Sequence, residues 1–370
     1  MRKVYGFIDL YGAPDLGPLT ESRNFGAVTF LGRYGLIDFA LSNFTNSGID
    51  KTAIIVDKYS NSVRSHIQSG SAFTINTKTG YLNVLQSEQA LKKNEYSTDI
   101  FTINTTKAHF ADGYSNYIVV APAYILMSFD YNLALESHIK SGKDVTLVYE
   151  HRFDLDQTMR GQNLITLAGD KVKAMKRNDG NEKEGNVSLD VFIMNRDFFD
   201  EILLTQKDVN PKYNIRDMVK YAIKNKKEAN AYEFKGFTLP ILSLDDYIKG
   251  SFFLLPYLNR LKLFRENWPI YTTTHNTAPA KYGPRASVKN SFIANGSIVD
   301  GTVENSILSR NVKVGAGASI KNSIVFTGTE VAKGASLNYV LCDKSAKISE
   351  KVSVNGNKKE YVIIKQGEVK

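Results

Sequence analysis

Apolar residues follow two different periods along the first half of the chain. Val4–Asp9, Thr52–Val56, Tyr117–Ala121 and Val145–Tyr149 are short β-branched runs, the pattern of strands buried on both faces. Between them, apolar residues recur at helical spacing over Ile37–Asn46, Ser62–Gln68 and Tyr131–Lys140. Each helical stretch runs into Ser-Gly, at Gly48, Gly70 and Gly142. Glycine takes the left-handed conformation that closes a helix without steric cost. Strands alternating with helices predict an α/β domain built on a mainly parallel sheet with helices on both faces. One more helix is expected over Asp245–Leu263, kinked or divided at Pro256.

The pattern changes after residue 263. Phe264–Tyr282 carries Pro269 and Pro279 and few helical spacings, which marks a linker between a domain over 1–263 and another over 283–370. Beyond it Ile298, Val303, Leu308, Val314, Ile320, Val325, Val331 and Leu337 recur at intervals of five or six, separated by Gly, Ala, Ser and Asn. That interval suits neither a helix nor a simple strand. It suits hexapeptide coils of a parallel β-helix, in which one aliphatic side chain per short strand points into the prism. Asn-Ser-Ile at Asn305 and Asn322, and Asn290-Ser291-Phe292, repeat in the same register.

Composition narrows the function classes. The chain has 370 residues, 42% of them hydrophobic and 23% charged, which fits a globular protein of two or three domains. No apolar run approaches the ~18 residues needed to cross a bilayer. The single cysteine, Cys342, cannot form an internal disulfide and lies among aliphatic repeats, so a packing role in a cytoplasmic protein is expected. The net charge of +9 is scattered and interleaved with acids, with no nucleic-acid signature beside it. Neither nucleic acid nor a membrane is an expected partner. The five histidines, at 66, 109, 138, 151 and 275, have no metal-ligand spacing. Asp99 and Asp217 are carboxylates with no evident assignment.

Two strings are specific. Leu36–Asp50 (Leu-Ile-Asp-Phe-Ala-Leu-Ser-Asn-Phe-Thr-Asn-Ser-Gly-Ile-Asp) and Asn267–Thr272 (Asn-Trp-Pro-Ile-Tyr-Thr) closely resemble segments of the glucose-1-phosphate adenylyltransferase (ADP-glucose pyrophosphorylase) family. The resemblance covers almost the whole chain. It implies a nucleotidyltransferase-like, Rossmann-like domain followed by a left-handed parallel β-helix. In that family glucose 1-phosphate attacks the α-phosphorus of ATP, which calls for Mg²⁺ on carboxylates, cationic side chains and a glycine-rich phosphate turn.

This chain departs from the family at those parts. The family's phosphate loop, Gly-Gly-x-Gly-x-Arg-Leu, falls on Leu10–Leu16, where Asp15 stands in place of the arginine. At ~4 Å and an effective dielectric near ~20, that reversal shifts each phosphate interaction by several kcal/mol. The lysine of Lys-Pro-Ala-Val falls on Phe25, and the two metal aspartates fall on Ala123 and Pro240. Methyl and pyrrolidine groups offer Mg²⁺ no oxygen. Arg177 lies near the sugar-phosphate lysine and is the candidate substrate-binding remnant. Such losses resemble the GlgD-type regulatory subunit of heterotetrameric enzymes. They imply no catalytic residue, no metal and no cofactor on this chain, with Mg²⁺ held by a catalytic partner subunit. Function is then expected through assembly with that partner and with itself. Arg23 and Arg33 are candidates for binding a phosphorylated effector, the plainer alternative being solvated or interface arginines. Two rivals are an active nucleotidyltransferase with a non-standard metal site and a hexapeptide acyltransferase. The latter commonly needs a histidine in the β-helix, and none occurs between Lys281 and Lys370.

Overall fold

The computed structural model describes residues 3–73, 80–87, 97–107 and 115–370; His109 lies outside them. Eleven strands matter for the first domain: β1 Val4–Asp9, β2 Lys51–Ile55, β3 Tyr81–Leu85, β4 Tyr117–Pro122, β5 Ile125–Met127, β6 Val145–Arg152, β7 Asn163–Ala168, β8 Lys171–Arg177, β9 Gly185–Asn195, β10 Ala229–Glu233 and β11 Thr238–Pro240. Nine of them form one sheet in the order β3-β2-β1-β4-β9-β6-β10-β8-β7. The β3-β2-β1-β4 half is parallel, as the alternation with helices predicts. The other half is mixed. β9 runs antiparallel to β4, β6 and β7, and β8 runs antiparallel to β7 and β10. The cause is the connections: no helix lies between β6 and β9, and strands joined by short turns pair antiparallel.

Helices α1 Ile37–Asn46, α2 Ser60–Ile67, α3 Asp99–Thr105, α4 Tyr131–Ser141, α5 Arg196–Val209 and α6 Ile215–Lys224 flank the sheet. Two hydrophobic cores result, one per face. Ile8 of β1 belongs to one, and Tyr5 and Phe7 belong to the other, as period-2 alternation requires. Gly142 closes α4 in the left-handed region, whereas α2 ends earlier than its glycine, with Gln68 at φ 50°. The expected long helix is divided at Pro256 into α7 Leu244–Phe253 and α8 Tyr257–Arg260.

The second domain is a parallel β-helix of three five-stranded sheets. Its first strand is Lys281–Tyr282, so the coils begin two residues before the expected boundary. Seven of the eight periodic aliphatics are buried. The exception is Ile298, which is 45% exposed while the adjacent Val299 fills the prism. Cys342 is buried inside, and burial pushes its thiol up to about 12, so it packs rather than reacts. Among the described residues no helix is long and apolar enough to cross a membrane.

The two quoted strings dock on each other. Asn43 of α1 donates to the Met127 carbonyl (3.0 Å) and accepts from the Phe129 N–H (3.1 Å) and the Trp268 indole (2.9 Å). Ser42 and Asn46 bond the backbone of Tyr271 and Pro269. The linker is thereby fixed to α1. Ile307, Ile324, Phe326 and Leu341 of the β-helix join a core of the first domain, which makes the domain seam apolar and continuous.

Candidate functional site

In open α/β sheets, ligands bind beyond the carboxyl ends of strands where the strand order reverses, here between β1 and β4. Asp9 ends β1 opposite Pro122, and Ala123 follows at the same edge. Pro240 lies on β11, which pairs with β5 through Pro240–Ile125, and the Ile241 N–H bonds the Tyr124 carbonyl at 2.7 Å. The fold therefore brings the Ala123 and Pro240 positions to one short ribbon. Neither supplies an oxygen-bearing side chain. Among the described residues no group of three His, Cys, Asp or Glu side chains could hold a metal ion. The side chains at these two positions do not fit Mg²⁺.

A polar network anchored on Asp190 lies at this edge. A register shift between Ser188 and Val191 places Asp190 in the left-handed region at φ 53°. Its carboxylate accepts from the Tyr124 hydroxyl at 2.5 Å and pairs with Arg216 at 3.0 Å. Arg216 is held protonated more firmly than usual, chiefly by Asp190, while burial and Asp190 push the Tyr124 phenol up. Beside them, Asp99 accepts the N–H groups of Ile100 and Ile215. Burial raises its carboxyl to about 6, and burial plus the charge of Asp99 raises Asp9 well above the ordinary range. These carboxylates are committed to protein donors. The cavity bounded by Leu10, Asp15 and Phe25 encloses ≈ 80 Å³. Ligand sites typically run ~300–1,000 Å³.

Asp15 is exposed and bonds back to its own loop. It accepts from the Thr20 hydroxyl and the Gly17 N–H, and both lower its pKa. Phe25 is buried in the core. Arg177 ends β8 and is exposed; it pairs with Asn163 of β7, and β7 in turn pairs with β9, the strand that carries Asp190.

The two candidate effector arginines separate. Arg23 is buried and spans the domain seam: its guanidinium donates twice to Asp343, at 2.7 and 2.8 Å, and once to Gln366. It is an interface arginine. Arg33 opens into an interdomain cavity of ≈ 660 Å³ shared with Arg260, Arg310 and His275. Among the described residues no carboxylate lines that cavity. Arg310 donates to the Thr273 carbonyl at 3.2 Å, while its buried Nε–H has no partner. Burial and Arg33 lower the Arg310 pKa, and burial and Arg310 lower that of His275. Arg260 stacks over Phe292 at 4.5 Å. Three guanidinium groups converge on this cavity, and their positive field is offset in part by Asp38, which acts on Arg310.

Sequence reasoning missed Asp9, Asp190, Tyr124, Arg216, Arg260 and Arg310. One signal was available. Asp190 is the lone charge in the apolar run Val187–Met194, and a buried strand tolerates a carboxylate only if something pairs with it.

Comparison with known proteins followed the same division of the chain. Residues 14–268 match the nucleotidyl transferase family and residues 276–363 match a GlmU-like C-terminal hexapeptide family. Glycogen biosynthesis protein GlgD of Geobacillus stearothermophilus is 31% identical over 86% of this chain and 83% of its own length. The GlgD protein of Bacillus subtilis is 28% identical over 95% and 92%, respectively. Glucose-1-phosphate adenylyltransferase of Thermosipho melanesiensis is 29% identical over 82% and 74%.

Proposed function

This chain belongs to the nucleotidyl transferase family, in the branch of glucose-1-phosphate adenylyltransferases and GlgD proteins, and from that premise we propose that it is a non-catalytic regulatory subunit of ADP-glucose pyrophosphorylase in glycogen biosynthesis. The residue types at the family's metal and phosphate positions carry the reading. Where the transfer needs metal oxygens and phosphate cations, the chain has Ala123, Pro240, Phe25 and Asp15, and the Asp190–Arg216–Tyr124 network takes up polar capacity beside them. Adenylyl transfer from ATP to glucose 1-phosphate, with its Mg²⁺, falls to a catalytic partner subunit in the cytoplasm.

The chain acts by assembly, as a heterotetramer with that partner and through contacts with its own copies. Open strand edges at the first β-helix coil, where Tyr282 and Val288 are exposed, suit stacking against another subunit. The cavity of Arg33, Arg260 and Arg310 takes a phosphorylated metabolite. Because it straddles the seam, its occupancy alters how the two domains sit and so biases the partner, a coupling of ~1–3 kcal/mol. The experiment is reconstitution: the catalytic subunit is assayed alone, with this chain, and with its Arg33→Ala/Arg310→Leu variant. The expected result is co-purification and a shifted rate or effector response that the variant loses. A chain that neither co-purifies nor shifts the partner's response overturns the proposal.

A further inference from the structure

A second groove lies away from both sites, between α7 and one corner of the β-helix, and encloses ≈ 630 Å³. The corner is a column of left-handed turns. Asn290, Asn305 and Asn322 take φ of 45–46° in successive coils, and asparagine is the non-glycine residue that best tolerates this region. Their amides form a ladder, Asn290 to Asn305 at 3.0 Å and Asn305 to Asn322 at 2.7 Å. The next coil breaks the rule. Tyr339 takes the column position at φ 54°, a strained conformation for an aromatic residue. The strain places its ring against Tyr361, with centroids 5.6 Å apart at 87°, and Phe252 of α7 stands 6.1 Å from Tyr361.

The charges are arranged unlike those of an anion site. Asp245, Lys249, Lys358 and Lys359 are all exposed at the rim, and Asp245 and Lys249 pair with each other at 2.6 Å. The inner wall is uncharged, made of phenol rings, amides and aliphatics. A phosphate seated deep in it would meet no cation. Each ladder amide uses one N–H along the column and keeps a second, and phenol hydroxyls add further donors and acceptors. Apolar ring faces set beside evenly spaced amide donors match a chain of sugar rings, which presents flat C–H faces and hydroxyl edges.

We propose that this groove binds a neutral oligosaccharide, specifically an α-1,4-linked glucan. Recognition of an uncharged sugar chain follows from the wall chemistry, whereas the choice of α-linked glucose rests on the function proposed above.

The test is calorimetry of the full chain with maltoheptaose, alongside cellohexaose and glucose 6-phosphate. Tyr339→Asn restores the residue used by the preceding coils, so it removes the ring while leaving melting temperature equal or higher. Saturable maltoheptaose binding, weakened about tenfold or more by Tyr339→Asn and by Tyr361→Leu and unchanged by Lys358→Ala/Lys359→Ala, is the expected result. No maltoheptaose binding, or binding indifferent to both tyrosine variants, overturns the site. Glucose 6-phosphate binding that the lysine variant abolishes also overturns it, in favour of an anion. Equal affinity for cellohexaose overturns the α-glucan assignment alone. None of these outcomes depends on the catalytic partner, so failure here is separable from failure of the regulatory reading.

Discussion

Replacing Arg23 by leucine separates a stabilising role at the domain seam from an effector role. Arg23 and Asp343 are 4% and 2% exposed, and the pair is bidentate at 2.7 and 2.8 Å. Removing one partner of such a pair leaves a buried, uncompensated charge and costs ~3–5 kcal/mol. Lys344, itself largely buried, feels both Asp343 and Arg23. Its ammonium offsets part of the lost attraction, which places the expected cost near the lower end, about 3 kcal/mol. At ~2.1 cal/mol/K of unfolding entropy per residue, a chain of this length shifts by ~1.3 °C per kcal/mol, so the melting temperature falls by about 4 °C. The double variant Arg23→Leu/Asp343→Leu recovers most of that loss, because an apolar pair needs no counter-charge. Thermal and urea unfolding of the three proteins measures the coupling. If Arg23→Leu is as stable as the parent, or the double variant is no better than the single one, the seam assignment is wrong.

Other consequences are equally open to measurement. Ala123→Asp/Pro240→Asp restores two carboxylates but leaves Asp15, Phe25 and the Asp190 network in place, so a coupled pyrophosphate assay finds no appreciable ADP-glucose synthesis. Folding raises the Asp9 and Asp99 carboxyls, so their contribution is fully present below the unfolded carboxylate pKa and is lost as pH rises, that of Asp99 through about 6. Asp9→Asn removes the like charge and flattens that slope, so the variant is the more stable of the two at pH 7.5 in urea titrations. Asn43→Ala strips partners from the Trp268 indole and the Phe129 N–H and costs about 3 kcal/mol, read by unfolding and by faster proteolysis of the linker.

The sequence announces whatever repeats with a period. The parallel half of the sheet, the glycine stops at Gly48 and Gly142 and the β-helix all follow from spacing, because one-sided burial forces a pattern. The slip at Ile298 shows the limit: two adjacent aliphatics leave open which one faces inward, and Val299 wins by packing. The lysine-rich β8 hides its strand character, since only Val172 and Met175 are buried along it. The departures from the family at Ala123 and Pro240 were readable because each is a single identity at a position the resemblance marks. The network beside them was not. Asp9, Asp190 and Arg216 lie far apart in sequence and meet only through sheet order and the bulge at Ser188–Val191. Arg23 and Arg33 look alike along the chain. One faces Asp343 across the seam and the other faces two arginines, a distinction that depends on how the β-helix packs back on the first domain.

The most direct measurement is adenylyl transfer by the purified chain alone, given saturating ATP, glucose 1-phosphate and excess Mg²⁺, with product resolved by anion exchange. The account predicts no ADP-glucose above the protein-free blank, from a chain that unfolds cooperatively and is therefore folded. Mg²⁺-dependent ADP-glucose that increases in proportion to this chain would contradict it.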